Sequence, residues 1–158
     1  MTTYDAQVEL TPLRDEDSDA LFRWINDRET VELSAVYAPV ARGDHDAWFA
    51  DVRARPDVEI YAIRSGGRLV GSCQLHSIDR EEGSAELQIR IGEADARGRG
   101  IGTAAVRLLL RRAFDELGLQ RVGLHVFETN ERAIATYERC GFVELRRRDG
   151  TVEMEARP

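Results

Sequence analysis

Three glycines within five positions stand between a strand-like run and an amphipathic helix. The segment reads Arg97-Gly98-Arg99-Gly100-Ile101-Gly102-Thr103. Glycine lets the backbone turn tightly and approach a ligand closely, because it carries no Cβ atom. The helix that follows leaves its first N–H groups unpaired and points the positive end of its dipole back into the loop. The segment therefore predicts a site for a phosphate-bearing ligand.

The spacing of the glycines separates several kinds of loop. A nucleotide-binding P-loop needs a lysine after its last glycine, and the chain contains no lysine. A dinucleotide-binding loop needs G-x-G-x-x-G, whereas Thr103 stands where the third glycine should be. The pattern Arg97-x-x-Gly100-x-Gly102 resembles the Gln/Arg-x-x-Gly-x-Gly/Ala loop of the Gcn5-related N-acetyltransferases (GNAT), which cradles the pyrophosphate of acetyl-CoA. An ordinary glycine-rich loop in solvent would also fit these residues, so the surrounding sequence must decide between the two interpretations.

A second motif lies downstream of this helix. After a strand-like run at Arg121–Phe127, the chain carries Asn130, Ala133, Tyr137 and Gly141-Phe142 at fixed intervals. This spacing resembles the second signature of the same family, N-x-x-A-x-x-x-Y-x-x-x-G-F. Both signatures occur in the family order over residues 85–143, and the resemblance is looser over the N-terminal half. The chain is therefore identified as a member of the GNAT superfamily, in the branch of ribosomal-protein, polyamine and amino-sugar acetyltransferases.

Composition agrees with one enzymatic domain over residues 1–158. The chain has 158 residues, is 42 % apolar and carries a net charge of −7, which makes nucleic acid an unexpected partner. No apolar run is long enough to span a membrane, and no secretory signal is recognisable. We therefore expect a cytoplasmic monomer or homodimer with two reduced cysteines. The three histidines are scattered, so no metal site is expected.

The elements that must position the motifs follow from periodicity and turn residues. Helices are expected at Asp17–Asn26, Ala47–Ala54 and Thr103–Leu117, and a further one follows Asn130. Hairpins are expected around Ser65-Gly66-Gly67 and Asp149-Gly150. The order β-α-α-β-β-β-α-β-α-β-β is that of the GNAT fold, an α/β (α+β) fold. It implies a mixed, mostly antiparallel sheet of about seven strands with flanking helices, splayed between the fourth and fifth strands.

The resemblance implies how the cofactor, acetyl-CoA (coenzyme A), would be bound. Its pantetheine would lie in the splay and pair with the main chain of Ile89–Ile91, with Ile89 and Ile91 as the principal partners. The cationic side chains of Arg90, Arg97 and Arg99 crowd the loop that would meet the phosphates. Asn130 would be a further cofactor contact. Arg132 would reach a phosphate, or would simply be exposed one turn into its helix.

The resemblance also implies the catalytic groups. Tyr137 matches the family's general acid, which protonates the CoA sulfur; an unperturbed phenol has a pKa of about 10 and is protonated at neutral pH. The alternative is that Tyr137 only packs. Glu86, on the strand beside the splay, is the candidate general base, directly or through water. A solvent-facing strand glutamate is the alternative reading of Glu86.

The resemblance implies that the acceptor is a primary amine of a small molecule, an amino sugar or a protein N-terminus, acetylated by direct transfer in a ternary complex. Trp24, Asn26 and Tyr37 are candidates for the acceptor side, although a core position is the favoured interpretation of Trp24. A non-catalytic acyl-CoA-binding sensor is the rival function. The presence of both Tyr137 and Glu86 favours the enzyme.

Overall fold

The computed structural model describes residues 7–158. Within them, the strands are β1 (Val8–Pro12), β2 (Glu59–Ser65), β3 (Arg68–Asp79), β4 (Ser84–Ile91), β5 (Arg121–Phe127), β6 (Val143–Arg148) and β7 (Thr151–Ala156). The helices are α1 (Ser18–Ile25), α2 (Arg28–Glu32), α3 (Arg42–Ala54), α4 (Ile101–Arg111) and α5 (Glu131–Arg139). A π-helical turn, Arg112–Glu116, continues α4.

The strands form one mixed sheet in the order β1-β2-β3-β4-β5-β7-β6. All neighbours run antiparallel except β4 and β5, which are parallel. Among the described residues, that parallel pair is joined only at Ser84–Arg121, Ala85–Val122 and Glu86–Gly123. Beyond Glu86 the two strands diverge. The predicted mixed sheet and its splay between the fourth and fifth strands are therefore confirmed.

Helices cover both faces of the sheet, and successive side chains of each strand point to opposite faces. One face packs against α4, whose Val106 and Leu109 are buried with Leu87 of β4 and Val122 of β5. The other face packs against α1 and α3 in a smaller cluster of Leu13, Leu21, Trp24, Phe49 and Ala62. The cleft described below lies between these two layers of helices.

A buried ion pair fixes the start of α1 against the sheet. The Arg64 guanidinium on β2 donates to both carboxylate oxygens of Asp17 at 2.9 and 2.8 Å, and both side chains are almost fully buried. Arg64 also donates to the Thr11 hydroxyl at 3.1 Å. A fully buried cation needs such partners, since desolvation of an unpaired charge is strongly unfavourable.

Two helix starts differ from the sequence-based prediction. Helix α4 begins at Ile101, two residues before the expected Thr103, because Gly100 takes a left-handed conformation (φ 81°) and serves as its N-cap. Helix α3 begins at Arg42 rather than Ala47. The polar first turn of α3 is held by Arg42, which pairs with Asp46 at 3.2 Å and with Asp19 of α1 at 2.6 Å. Apolar periodicity could not detect that polar turn.

Candidate active site

A cavity of about 1210 Å³ follows the opening between β4 and β5. Its wall takes residues from α1, α3, β3, β4, α4, β5 and α5, so it reaches both faces of the sheet. The predicted site residues that line it are Trp24, Ile89, Arg90, Ile91, Arg97, Gly98, Gly100, Gly102, Thr103, Asn130, Arg132 and Tyr137. Predicted residues that are not part of this wall are Asn26, Tyr37, Glu86, Arg99 and Ile101.

The glycine-rich loop forms one end of the cavity. Gly98 and Gly100 both have positive φ angles, 72° and 81°, which glycine adopts readily and other residues rarely do. Among the described residues, no side chain caps the N-terminus of α4, and no acidic residue occupies its first turn. The first amides of α4 are therefore available to an anion. The loop geometry fits the pyrophosphate of acetyl-CoA.

Two arginines have different positions around this loop. The Arg97 guanidinium donates to the Ile91 carbonyl at 3.2 Å and to the Thr30 hydroxyl at 2.8 Å. Its side chain thus ties the loop to the end of β4 and to α2. The Arg132 guanidinium overhangs the loop, since a Cβ atom built on Gly98 would lie 3.5 Å from its Nη1. Arg132 is therefore better placed than Arg97 to meet a phosphate with its side chain.

The middle of the cavity is the open edge of β4. Ile89 and Ile91 lie past the last residue pair with β5 and line the cavity. Backbone groups that point into such a gap need partners from elsewhere. Pantetheine carries amide N–H and C=O groups of the matching kind. This edge and the glycine loop together fit the two halves of coenzyme A.

Tyr137 lies on α5 and lines the cavity. Its ring packs edge-on against Phe142 with the ring centroids 5.8 Å apart, and burial raises the pKa of its hydroxyl to about 12. No protein group in the described chain hydrogen-bonds that hydroxyl. The phenol is thus a protonated donor that is open to a ligand.

Asn130 has a structural role that sequence reasoning did not anticipate. Its carbonyl oxygen accepts from the Ala133 amide at 3.2 Å and caps α5. Its amide nitrogen donates to the Leu33 carbonyl at 2.9 Å. Asn130 therefore connects the start of α5 to the segment after α2, across the outer end of the cavity.

Glu86 lies at the point where β4 and β5 part. Its carboxylate covers Gly123 of β5, where a built Cβ atom would lie 3.3 Å from Oε1. Its Oε2 is 3.7 Å from Nδ1 of His125. His125 itself lines the cavity. The imidazole therefore borders both the candidate base and the cavity, a relation that strand alternation on β5 could have suggested.

Of the three acceptor-side candidates, only one lines the cavity. Trp24 is 2 % exposed, lines the cavity, and its indole N–H donates to Glu93 at 3.2 Å. Asn26 is engaged with the backbone of Phe22 and Val40. The Tyr37 hydroxyl donates to the Asn26 carbonyl at 3.2 Å. Asn26 and Tyr37 thus shape the loop after α1 and do not border the cavity.

The parts of the cleft occur in the order of the parts of acetyl-CoA. Amides for a pyrophosphate come first, an open strand edge for pantetheine follows, and a phenol for the sulfur lies on α5. Within the described chain, no group of three or more His, Cys, Asp or Glu side chains could hold a metal ion. No described helix has both the length and the apolarity to cross a membrane. The fold and cleft define a transferase that uses acetyl-CoA.

Comparison with known proteins agrees with this class. The sequence model of the acetyltransferase (GNAT) domain family matches residues 7–143. YdaF of Bacillus subtilis (strain 168), a candidate ribosomal N-acetyltransferase, is 33 % identical over 131 residues, covering 82 % of this chain and 69 % of YdaF. The chain belongs to the GNAT acetyltransferase family and is an acetyl-CoA-dependent N-acetyltransferase.

Two further relatives widen the range of acceptors named in the family. Aminoglycoside N(6')-acetyltransferase type 1 of Klebsiella pneumoniae is 24 % identical over 164 residues, with 96 % of this chain and 80 % of that protein covered. The crystal structure of spermidine N-acetyltransferase from Vibrio cholerae with CoA and spermine has a TM-score of 0.84 at 22 % identity, and 96 % of each chain is covered. That likeness establishes the shared fold.

Proposed function

We propose that this cytoplasmic enzyme, a monomer or homodimer, acetylates the primary amine of a small molecule or peptide by direct transfer in a ternary complex. The observation that carries the proposal is the continuous cavity. It runs from the glycine loop past Tyr137 to the α1 and α3 face of the sheet, so cofactor and acceptor can meet inside it. The free, buried thiol of Cys73 agrees with a reducing compartment.

The residues that would hold the cofactor follow from the wall of the cavity. The backbone of residues 98–103, together with Arg132, would bind the pyrophosphate, and the backbone of Ile89–Ile91 would bind pantetheine. Bound acetyl-CoA supplies an acetyl group activated as a thioester. The chain's own task is then to orient the acceptor, remove a proton from its amine and supply one to the departing sulfur.

Tyr137 and Glu86 would perform the two proton transfers. The Tyr137 hydroxyl is protonated, since burial raises its pKa to about 12, and would donate to the sulfur. Glu86 would accept the amine proton through water or through His125, whose ring lies 3.7 Å from the carboxylate. His76 of β3 lies opposite Glu86 of β4, and burial lowers the pKa of the His76 imidazole. Burial therefore disfavours a positive charge on the imidazole that lies opposite Glu86.

The Cys73 thiol in the cavity wall is a poor nucleophile, which favours direct transfer. Cys73 lines the cavity, and burial raises the pKa of its thiol well above the usual range. A thiolate, not a thiol, is the nucleophile in acyl transfer. Cys73 is therefore a poor carrier for the acetyl group, which agrees with transfer straight to the amine.

The test is release of CoA thiol from acetyl-CoA with a panel of amines, peptides and amino sugars. We expect turnover with at least one acceptor, and no acetylated protein by mass spectrometry when the acceptor is left out. A protein that CoA protects from thermal unfolding, but that turns over no acceptor, would be the sensor and not the enzyme. Accumulation of acetylated Cys73 would contradict direct transfer.

A further inference from the structure

Arg90 carries a guanidinium on the acceptor face of the cavity. Paired residues of an antiparallel sheet point to the same side, and Ala62, Ser72 and Arg90 form one such row across β2, β3 and β4. Ala62 belongs to the cluster under α1 and α3. The Arg90 side chain therefore lies on the face of these helices, and it lines the cavity there.

This guanidinium lacks a protein partner. Its Nε–H is buried and donates to no acceptor within residues 7–158; it is the one buried side-chain nitrogen or oxygen in that range without a partner. Burial also lowers the pKa of the guanidinium, with no carboxylate acting against the shift. Arg64, the buried arginine on β2, instead holds Asp17 at 2.8 Å. An unpaired, half-buried cation in a ligand cavity is a position for an anion.

The charges of the wall support the same conclusion. Among the described residues that line the cavity, none is aspartate or glutamate, while Arg90, Arg97, Arg132 and Arg139 all contribute to it. Arg132 lies over the glycine loop, and Arg97 is engaged with carbonyl and hydroxyl oxygens. The Arg139 guanidinium donates to the Thr136 hydroxyl on its own helix, α5, at 3.1 Å. Arg90 is therefore the cation that remains for the acceptor side. A polycationic acceptor would find no carboxylate in this wall and would meet Arg90 with like charge.

We propose that the acceptor is an amine that also carries an anionic group, a carboxylate or a phosphate, and that the Arg90 side chain binds this group. The assignment rests on the proposed acetyltransferase function. Glu86 and Arg90 are four residues apart, or about 13 Å along the strand. The anionic group therefore lies several bonds from the amine that is acetylated, and not on the adjacent carbon.

The experiment compares acceptors with and without an anionic group. A dipeptide is paired with its C-terminal amide, glucosamine 6-phosphate is paired with glucosamine, and spermidine serves as the polycation. We expect kcat/KM to be about 10- to 100-fold higher for at least one anionic member than for its neutral partner, the range of a hydrogen-bonded charge pair. The two pairs distinguish a carboxylate from a phosphate. Equal values, turnover with a neutral member but with neither anionic member, or a preference for spermidine would overturn the proposal.

Substitutions test whether the preference for anionic acceptors depends on Arg90. Arg90→Met keeps the aliphatic stem and should bring the ratio within each pair close to one, while Arg90→Lys should keep part of it. Arg148→Met, on exposed β6, is the control and should keep the ratio of the parent. If Arg90→Met does not fold, the parent enzyme is tested with an analogue of the preferred anionic acceptor that keeps the anionic group and lacks the amine. Competitive inhibition by this analogue supports the proposal, and the absence of inhibition opposes it.

A separate binding measurement distinguishes the acceptor from the cofactor. CoA affinity, followed by thermal shift and by calorimetry, should stay within about twofold in Arg90→Met, and should fall in Arg132→Met. An equal fall in both variants would assign Arg90 to the cofactor phosphates and overturn the proposal. Failure of the acetyltransferase function itself would differ, since no acceptor of any charge would then release CoA thiol.

Discussion

Replacement of Tyr137 by phenylalanine separates the acid from the ring that carries it. The variant keeps the edge-on contact with Phe142, whose ring centroid is 5.8 Å away. It removes a hydroxyl that no group of the described chain hydrogen-bonds. We therefore expect a change in unfolding free energy below about 0.5 kcal/mol, or about 2 °C in Tm. CoA affinity should also be unchanged.

The expected loss of turnover follows from the acidity of the phenol. A positioned acid contributes about 10²- to 10⁴-fold. Burial raises the pKa of Tyr137 from 10.0 to about 12, which makes it a weaker donor than a free phenol, and a thiolate is a fair leaving group unaided. We expect about a 100-fold fall, or about 2.7 kcal/mol in the activation barrier. The fall should appear in kcat more than in KM.

Thiol release measured from pH 7 to 10 provides the assay and its check. Because the pKa is raised, the donating form persists throughout this range, so the ratio of parent to variant should stay constant with pH. Tyr61→Phe is the matched control: its hydroxyl donates to Glu59 at 2.5 Å outside the cavity, so that variant should lose stability and keep turnover. Full activity of Tyr137→Phe would show that Tyr137 only packs and that another group protonates the sulfur.

Three other substitutions test the loop, the base and the buried ion pair. Gly100→Val should abolish the stabilisation of the protein by CoA. Gly118 has a similar φ of 68° but lies outside the cavity, so Gly118→Val should only reduce stability. Equal CoA binding in the two variants would refute the assignment of the loop to CoA. Glu86→Gln should lower the rate most at low pH, and a pH profile identical to the parent's would remove Glu86 as the base. Arg64→Met should lower the unfolding free energy by about 3–5 kcal/mol in urea, because Asp17 is left buried and unpaired; a loss below about 1 kcal/mol would contradict this account.

Sequence reasoning predicted best those features that depend on residues close together in the chain. The glycine loop, the helix after it and the spacing from Asn130 to Phe142 each depend on residues that are near one another in the chain. The mixed sheet and the position of the splay were implied by the resemblance of the element order to the GNAT fold, and the structure confirms both. The helix start at Ile101 was missed by two residues because the left-handed conformation of Gly100 is not visible in apolar periodicity.

Contacts between distant segments could not be predicted in the same way. Asn130 donates to Leu33, 97 residues away, so its support of the cavity wall has no local pattern. His125 approaches Glu86 only because β4 and β5 run parallel in this register. The missing partner of Arg90 depends on three strands and two helices together. The sequence shows that Arg90 is charged, and only the fold shows that no described carboxylate reaches it.

The opening between β4 and β5 has a consequence for the lifetime of the protein. In the described chain, β1–β4 and β5–β7 meet through three residue pairs, so amide protons that face the gap should exchange with solvent faster than those of the closed part of the sheet. A ligand that pairs with the gap slows this exchange and stabilises the native state by about 2.7 kcal/mol at a hundred times its Kd. The resistance of the enzyme to unfolding therefore rises and falls with the supply of the compound that it consumes.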